Sequence, residues 1–229
     1  MIFKAIRLKS WEQRALHALG SGRYEQAEHY FKRIYEAVPG GEGVRYNMGL
    51  ASFAQGKYDV AESYFEAELE RFGESAHSLK ALAELSYQTG RRKHARRYLR
   101  RLAAHCDGTE RELVQRRIAV VEDEGKFTAA CEAQQAVWNA EDALRRGDWQ
   151  TALDEYRRAA ELDETQFTAR AGIGKIALEY LGDLGEALKA YREAYALAPD
   201  PRYQQQIERI ERTLARRGES TDARLDERS

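Results

Sequence analysis

Small, aromatic and polar positions recur along this chain at one long interval. The run Gly22-Arg23-Tyr24-Glu25-Gln26-Ala27 returns as Gly56-Lys57-Tyr58-Asp59-Val60-Ala61, thirty-four residues on, and again as Gly90-Arg91-Arg92-Lys93-His94-Ala95. Gly147-Asp148-Trp149-Gln150-Thr151-Ala152 and Gly182-Asp183-Leu184-Gly185-Glu186-Ala187 repeat it thirty-five residues apart, which makes five copies. Each glycine falls where one helical pattern stops and another starts, the place where a left-handed backbone costs glycine little. A small residue stands seven positions before it: Ala15, Gly49, Ala83, Ala140 and, with one residue inserted, Gly174. Four positions after each alanine comes a ring or a leucine: Phe31, Phe65, Leu99, Tyr156 and Tyr191. Small opposite large lets two helix backbones approach and interdigitate. Pro39 and Pro199 close second helices, because proline cannot continue the helical ladder. The pattern predicts an all-α chain of helix-turn-helix units.

The rhythm breaks once. Ala95 and Ala152 lie fifty-seven residues apart, room for about one extra helix. Thr109 to Glu112 reads as a capping box, and Leu113, Val114, Ile118 and Val121 follow at helical spacing, so a helix is predicted over 110–123. Gly125-Lys126-Phe127-Thr128-Ala129-Ala130 then imitates the repeat turn, and one long helix over 127–146 serves both the inserted helix and the next unit. After Pro201, the residues Tyr203, Ile207, Ile210 and Leu214 make an apolar stripe on a last helix, read as a cap over the final unit, with a short coiled-coil seam between two copies as the alternative. The expected organisation is three repeats over 8–107, an inserted helix and turn over 108–126, two repeats over 127–199, a capping helix over 200–217 and a polar, flexible tail over 218–229.

The repeats resemble those of the tetratricopeptide repeat family. The resemblance rests on Trp11, Ala15, Gly22, Tyr24, Ala27, Phe31 and Pro39 in the first unit and on Gly49, Gly56, Tyr58, Ala61 and Phe65 in the second. It covers most of residues 8–199. Where the family commonly has a tyrosine in the first helix, this chain has Ala18, Ser52, Ser86, Ala143 and Ala177, each followed by a large residue: Leu19, Phe53, Tyr87, Leu144 and Leu178. The resemblance implies a right-handed superhelical α-solenoid whose concave groove, formed by the first helices, binds a peptide or helix of another protein. By position, the groove would be lined by Leu16 and Leu19, by Tyr46, Asn47, Leu50 and Phe53, and by Lys80, Glu84 and Tyr87. Farther on it would take in Trp138, Glu141, Leu144 and Arg145, then Lys175 and Leu178. Some members clamp a terminal carboxylate with five lysine, asparagine and arginine side chains. Only Asn47 matches, and Glu12, Leu16, His77 and Ala81 occupy the other positions, so the groove is expected to suit an apolar segment.

Composition supports the same class: alanine outnumbers valine, isoleucine and threonine together, and 229 residues hold three prolines. Two cysteines exclude a disulfide framework and supply no zinc spacing. With no apolar run of membrane length, and with Lys4, Arg7 and Lys9 interrupting the apolar start, a cytoplasmic protein is expected. The net charge of −1 argues against bulk attraction to nucleic acid. Charge is uneven, however: residues 76–126 hold 12 basic and 7 acidic side chains (+5), and residues 127–229 hold 15 and 20 (−5). Arg91, Arg92, Lys93, Arg96, Arg97, Arg100 and Arg101 carry the basic excess, on the face of their helix opposite Ala95, Leu99 and Leu102. Three readings of this patch are open: a solvated face paired with acids of the neighbouring unit, a site for an acidic partner, or an RNA surface with Tyr98 beside it. The five histidines are dispersed, and Gly172-Ile173-Gly174-Lys175 lacks the spacing and hydroxyl of a phosphate loop and is read as packing. No catalytic constellation, metal set or cofactor motif stands out, and the expected function is that of a noncatalytic scaffold or adaptor, monomeric by preference.

Overall fold

The computed structural model describes residues 2–226, with side chains over 5–216. The chain divides into two compact units, Met1–Cys106 and Asp107–Ser229. The first contains α1 (Ile2–Gly20), α2 (Tyr24–Ala37), α3 (Val44–Ala54), α4 (Tyr58–Phe72), α5 (Ala76–Gln88) and α6 (Arg92–Ala103). The second contains α7 (Gly108–Glu122), α8 (Glu124–Arg145), α9 (Trp149–Leu162), α10 (Phe167–Ile176) continued by a π-helical turn (Ala177–Leu181), α11 (Leu184–Leu197) and α12 (Pro201–Asp226). No strand occurs among the described residues.

The repeat glycines make the turns. Gly22, Gly56, Gly90, Gly147 and Gly182 all have positive φ, between 65° and 82°. The next residue's N–H then returns to a carbonyl of the first helix: Arg23 to Ala18, Lys57 to Ser52, Arg91 to Ser86 and Asp148 to Ala143, each at 2.8–2.9 Å. Those acceptors are the small residues that replace the family's tyrosine, and they are buried. In the fifth copy Asp183 reaches Ala177, one residue farther back, because the inserted residue is wound into the π turn.

Packing between paired helices follows the small-to-large pattern. A Cβ on Gly49 would lie 2.5 Å from the Phe65 ring, and one on Gly174 would lie 3.0 Å from Tyr191. Gly172, beside it in α10, gives the same room to Tyr156 of α9, so the Gly172 to Lys175 stretch serves packing. In the first unit Ala15, Ala18, Ala27, Phe31, Met48 and Ala51 form one cluster. Further along the same unit Leu79, Leu82, Leu85, Tyr98, Leu99 and Leu102 are buried to 2% exposure or less. In the second unit, Ile210 of α12 is buried against Ala177, Ala187 and Tyr191, with Tyr203 and Ile207 packed beside it, while Leu214 is exposed. Three of the four stripe residues thus cover α11 as a cap does.

Several boundaries differ from the sequence reading. The helix expected over 110–123 starts at Gly108 after Asp107, and no side chain caps it, so Thr109 and Glu112 both lie inside the helix and form no capping box. The turn expected at Gly125 lies at Asp123, whose carboxylate accepts the Lys126 N–H at 2.9 Å; α8 therefore begins three residues early and includes Gly125. Helix α1 begins at Ile2, ahead of residue 8. Helix α12 runs through residues 218–226, assigned in sequence to a flexible tail; residues 227–229 of that segment lie outside the described residues.

Candidate functional site

In the first unit, the first helices of each pair expose a mixed apolar and polar surface. Leu16 is 48% exposed. It lines a cavity of about 200 Å³ with Leu8 and Glu12 of α1, Phe31 and Ile34 of α2, Val38, the connection from Gly41 to Gly43, and Val44 and Asn47 of α3. Leu19 packs on the cluster around Ala15. The Tyr46 ring lies 5.7 Å from Phe65 and 6.3 Å from His77, half-buried, and burial raises its hydroxyl above the usual tyrosine range. Asn47 spends one amide N–H on the Gly43 carbonyl at 2.9 Å. Leu50 and Phe53 are half-buried, with Phe53 tilted against Tyr58 at 5.7 Å. Lys80 is exposed and Glu84 half-buried. Tyr87, expected to line the groove, is 2% exposed and belongs to the core.

In the second unit the predicted lining is partly packed and partly open. Leu144 packs on the cluster that holds Ala140 and Tyr156, and Leu178 on the cluster that holds Tyr191 and Ile210. Trp138 is half-buried, Glu141 and Lys175 are exposed, and Arg145 pairs with Asp142 at 3.1 Å. A pair missed in sequence lies at the π turn: Trp149 and Tyr180 stack with centroids 5.9 Å apart, and Tyr180 and Leu181 are both more than 40% exposed. The thirty-five-residue spacing was the signal that an extra residue lay here.

The second helices carry charge that is largely matched within the protein. Glu28, 8% exposed, receives Lys32 at 2.6 Å, Gln55 at 2.9 Å and Lys57 at 3.3 Å. Burial pushes its carboxyl up, but these donors outweigh that and hold it at about 2. One repeat on, Arg91 bonds Glu62 and Asp59 at 2.5 and 2.8 Å. Arg97 lies 3.7 Å from Glu66, and Arg101 and His105 bond Glu74 at 2.8 and 2.7 Å. The Glu74 carboxyl is lowered by its bonds from His105 and Arg101. Pairing with acids of the neighbouring unit is one of the three readings that the sequence leaves open for the basic patch; the acids themselves went unnamed, although Glu28 and Glu62, and Lys57 and Arg91, are spaced by the repeat itself. Of the basic patch, Arg91, Arg97 and Arg101 are thus paired with acids of α4 and with Glu74 just beyond it. Arg92, Arg96 and Arg100 also have partners within the protein; Lys93, Arg96 and Arg100 are exposed and Arg92 is half-buried. The RNA reading loses its ring: Tyr98 is 1% exposed and donates to Glu66 at 2.7 Å, and burial followed by that bond raises its hydroxyl.

Among the described residues, no group of three His, Cys, Asp or Glu side chains could hold a metal ion, and no helix is long and apolar enough to cross a membrane. Burial pushes the half-buried Cys131 thiol up to about 11, which leaves it a poor nucleophile.

The family model described as tetratricopeptide repeat matches residues 12–56, 46–108 and 139–201. The stretch it leaves between the second and third matches holds α7 and the first part of α8. No curated protein matches the chain significantly. Among solved structures, MamA of AMB-1 is similar at 19% identity, over 84% of this chain and 92% of that one, with a TM-score of 0.44. The TPR2AB domain of yeast Sti1, in its complex with pHSP90, is 13% identical over 92% of this chain and 85% of that one (TM-score 0.46). YrrB, described as a TPR protein with an unusual peptide-binding site, is 17% identical over 85% and 88%, with a TM-score of 0.39.

Proposed function

The chain belongs to the tetratricopeptide repeat family, and from that premise we propose that it is a noncatalytic scaffold whose first-helix face takes a peptide or helix from another protein. The observation that carries this reading is the contrast between the two helices of each pair in the first unit. Charges on the second helices are bonded across successive pairs, at Glu28, Glu62 and Glu66, and Glu74 continues the series just after α4. The first helices instead leave Tyr46, Leu50 and Phe53 partly open, and Leu16 exposed in the wall of a cavity. Apolar surface of this kind gains free energy when a partner removes it from water, by roughly 25 cal/mol per Å². The cytoplasm suits a chain with two cysteines in 229 residues.

The test is affinity purification of the tagged full chain followed by mass spectrometry, beside a Leu50→Ala/Phe53→Ala variant. The variant is expected to keep its helical circular dichroism and to lose the proteins that the parent recovers. Recovery of the same proteins at the same yield from the folded variant would remove the groove from this function.

A further inference from the structure

The cavity beside Leu16 is bordered by carboxylates that the protein itself does not neutralise. Elsewhere in the same unit, Glu28, Glu62, Glu66 and Glu74 each meet a lysine or arginine. Glu12 and Glu42, which line the cavity, are exposed, and neither is in an ion pair among the described residues. A third acid does not line the cavity but is bonded to its wall. Glu68 of α4 is 5% exposed, and its Oε1 accepts the N–H of Gly43, a residue of the cavity wall. Its Oε2 is buried with no hydrogen-bond partner among the described residues. A buried carboxylate oxygen left in that state is costly, and a cation nearby relieves the cost.

Apart from Asn47 and the backbone at Gly41 and Gly43, the rest of the wall is apolar, from Leu8, Leu16, Phe31, Ile34, Val38 and Val44. At about 200 Å³ the cavity is smaller than the usual small-molecule site, and it suits one long side chain. The three carboxylates are not gathered closely enough to hold a metal ion, as no such group exists among the described residues. Dispersed acids around an apolar wall fit a group that is itself an apolar stem ending in a positive charge. A peptide's terminal carboxylate would meet like charge there instead.

We propose that this cavity receives an arginine or lysine side chain, flanked by apolar residues, from the extended segment that the scaffold binds. The stem lies on Leu8, Leu16 and Val44, and the charged end approaches Glu12 and Glu42. This rests on the groove reading above and adds to it the chemistry of one position in the partner.

Fluorescence anisotropy on the full chain tests it, with a labelled peptide Ala-Leu-Arg-Leu-Ala and twins that carry Gln or Glu in place of Arg. The Arg peptide is expected to bind more tightly than the Gln twin, and the Glu twin more weakly than either. Glu12→Gln/Glu42→Gln should weaken the Arg peptide by roughly threefold to tenfold, the range for two exposed charges. Glu161→Gln/Glu164→Gln, two exposed acids of the other unit, should leave it unchanged. Glu12→Arg/Glu42→Arg should transfer the preference to the Glu twin. Equal binding of the three peptides overturns the cationic position while the groove reading stands. Binding of none also overturns it, and the groove reading is then decided by its own copurification experiment, since Leu50 and Phe53 lie outside this cavity.

Discussion

Glu28 shows how a single side chain ties two helix pairs together. Its carboxylate sits between Lys32 of its own helix and Gln55 and Lys57 at the following turn. Because the folded carboxyl is held at about 2, below the ordinary glutamate value of 4.5, the anion's contribution is fully present above that ordinary value. It is lost as pH falls through the folded value, and protonation removes of the order of 1 to 3 kcal/mol. Urea unfolding monitored from pH 6 down to about pH 2.5 should therefore show a drop in midpoint that is shallower in Glu28→Gln; equal slopes in the two proteins would deny the carboxylate this role. Gly49 makes a second prediction at this scale. Gly49→Ala forces a Cβ against the Phe65 ring and should cost roughly 1 to 3 kcal/mol, part of which Phe65→Leu restores, as read from denaturation midpoints of the double-mutant cycle. The small-and-large pairing at this site was legible because the repeat spells it out. The burial of Tyr87 was not: one step along a helix turns a side chain by about 100°, so bulk displaced by a single position can turn from the binding face into the core.

At the scale of elements, the five turns share a left-handed glycine and differ in the residue after it. In the first unit that residue is Arg23, Lys57 or Arg91, and its side chain caps nothing. In the second it is Asp148 or Asp183, which accept the N–H of Thr151 and of Glu186. Asp148→Ala and Asp183→Ala should each lower the denaturation midpoint, whereas Arg23→Ala, at the equivalent place, should not lose a cap; chemical denaturation of the three variants separates them. The π turn gives another expectation. Removing Tyr180 restores the spacing of the other four copies, returning Gly174 to seven and Ala177 to four residues before the turn glycine, now one position earlier. That deletion should leave helical circular dichroism intact and the melting temperature no lower, and a collapse of either would show that the π turn is required for packing. The existence of the extra residue could be read from the thirty-five-residue spacing, but not its form, since a bulge, a longer loop or a π turn all absorb one residue. The inserted helix was also visible, while its start was misplaced because Thr109 and Glu112 satisfy a capping pattern that Asp107 and Gly108 pre-empt.

On the scale of the whole molecule, α12 closes the end of the second unit. Ile210 is 1% exposed against α11, so Ile210→Ala should cost about 2 to 5 kcal/mol, and ending the chain after Asp200 should lower the melting temperature and promote aggregation. Sedimentation of a soluble, stable, truncated monomer derived from a full-length dimer would instead make the stripe a seam between copies. Sequence alone left these two outcomes open, because an apolar stripe at spacings of four, three and four serves a cap or a seam equally. The ion pairs described between successive helix pairs have a further consequence for cooperativity. In a repeat array, stability divides into what each repeat contributes alone and what it contributes through its neighbours. The first unit places charge in the neighbour term, through Lys57 with Glu28, Arg91 with Glu62 and Arg101 with Glu74. The second does so too, through Arg157 with Glu186 at 3.1 Å and Arg192 with Glu211 at 2.6 Å, and adds aspartates in the intrinsic term, as helix caps that added salt screens far less. Raising ionic strength should therefore loosen the coupling between successive repeats in each unit, so that their amides exchange hydrogen in smaller, less concerted groups, while the first-turn amides of Thr151 and Glu186, held by the caps, keep the protection they have at low salt.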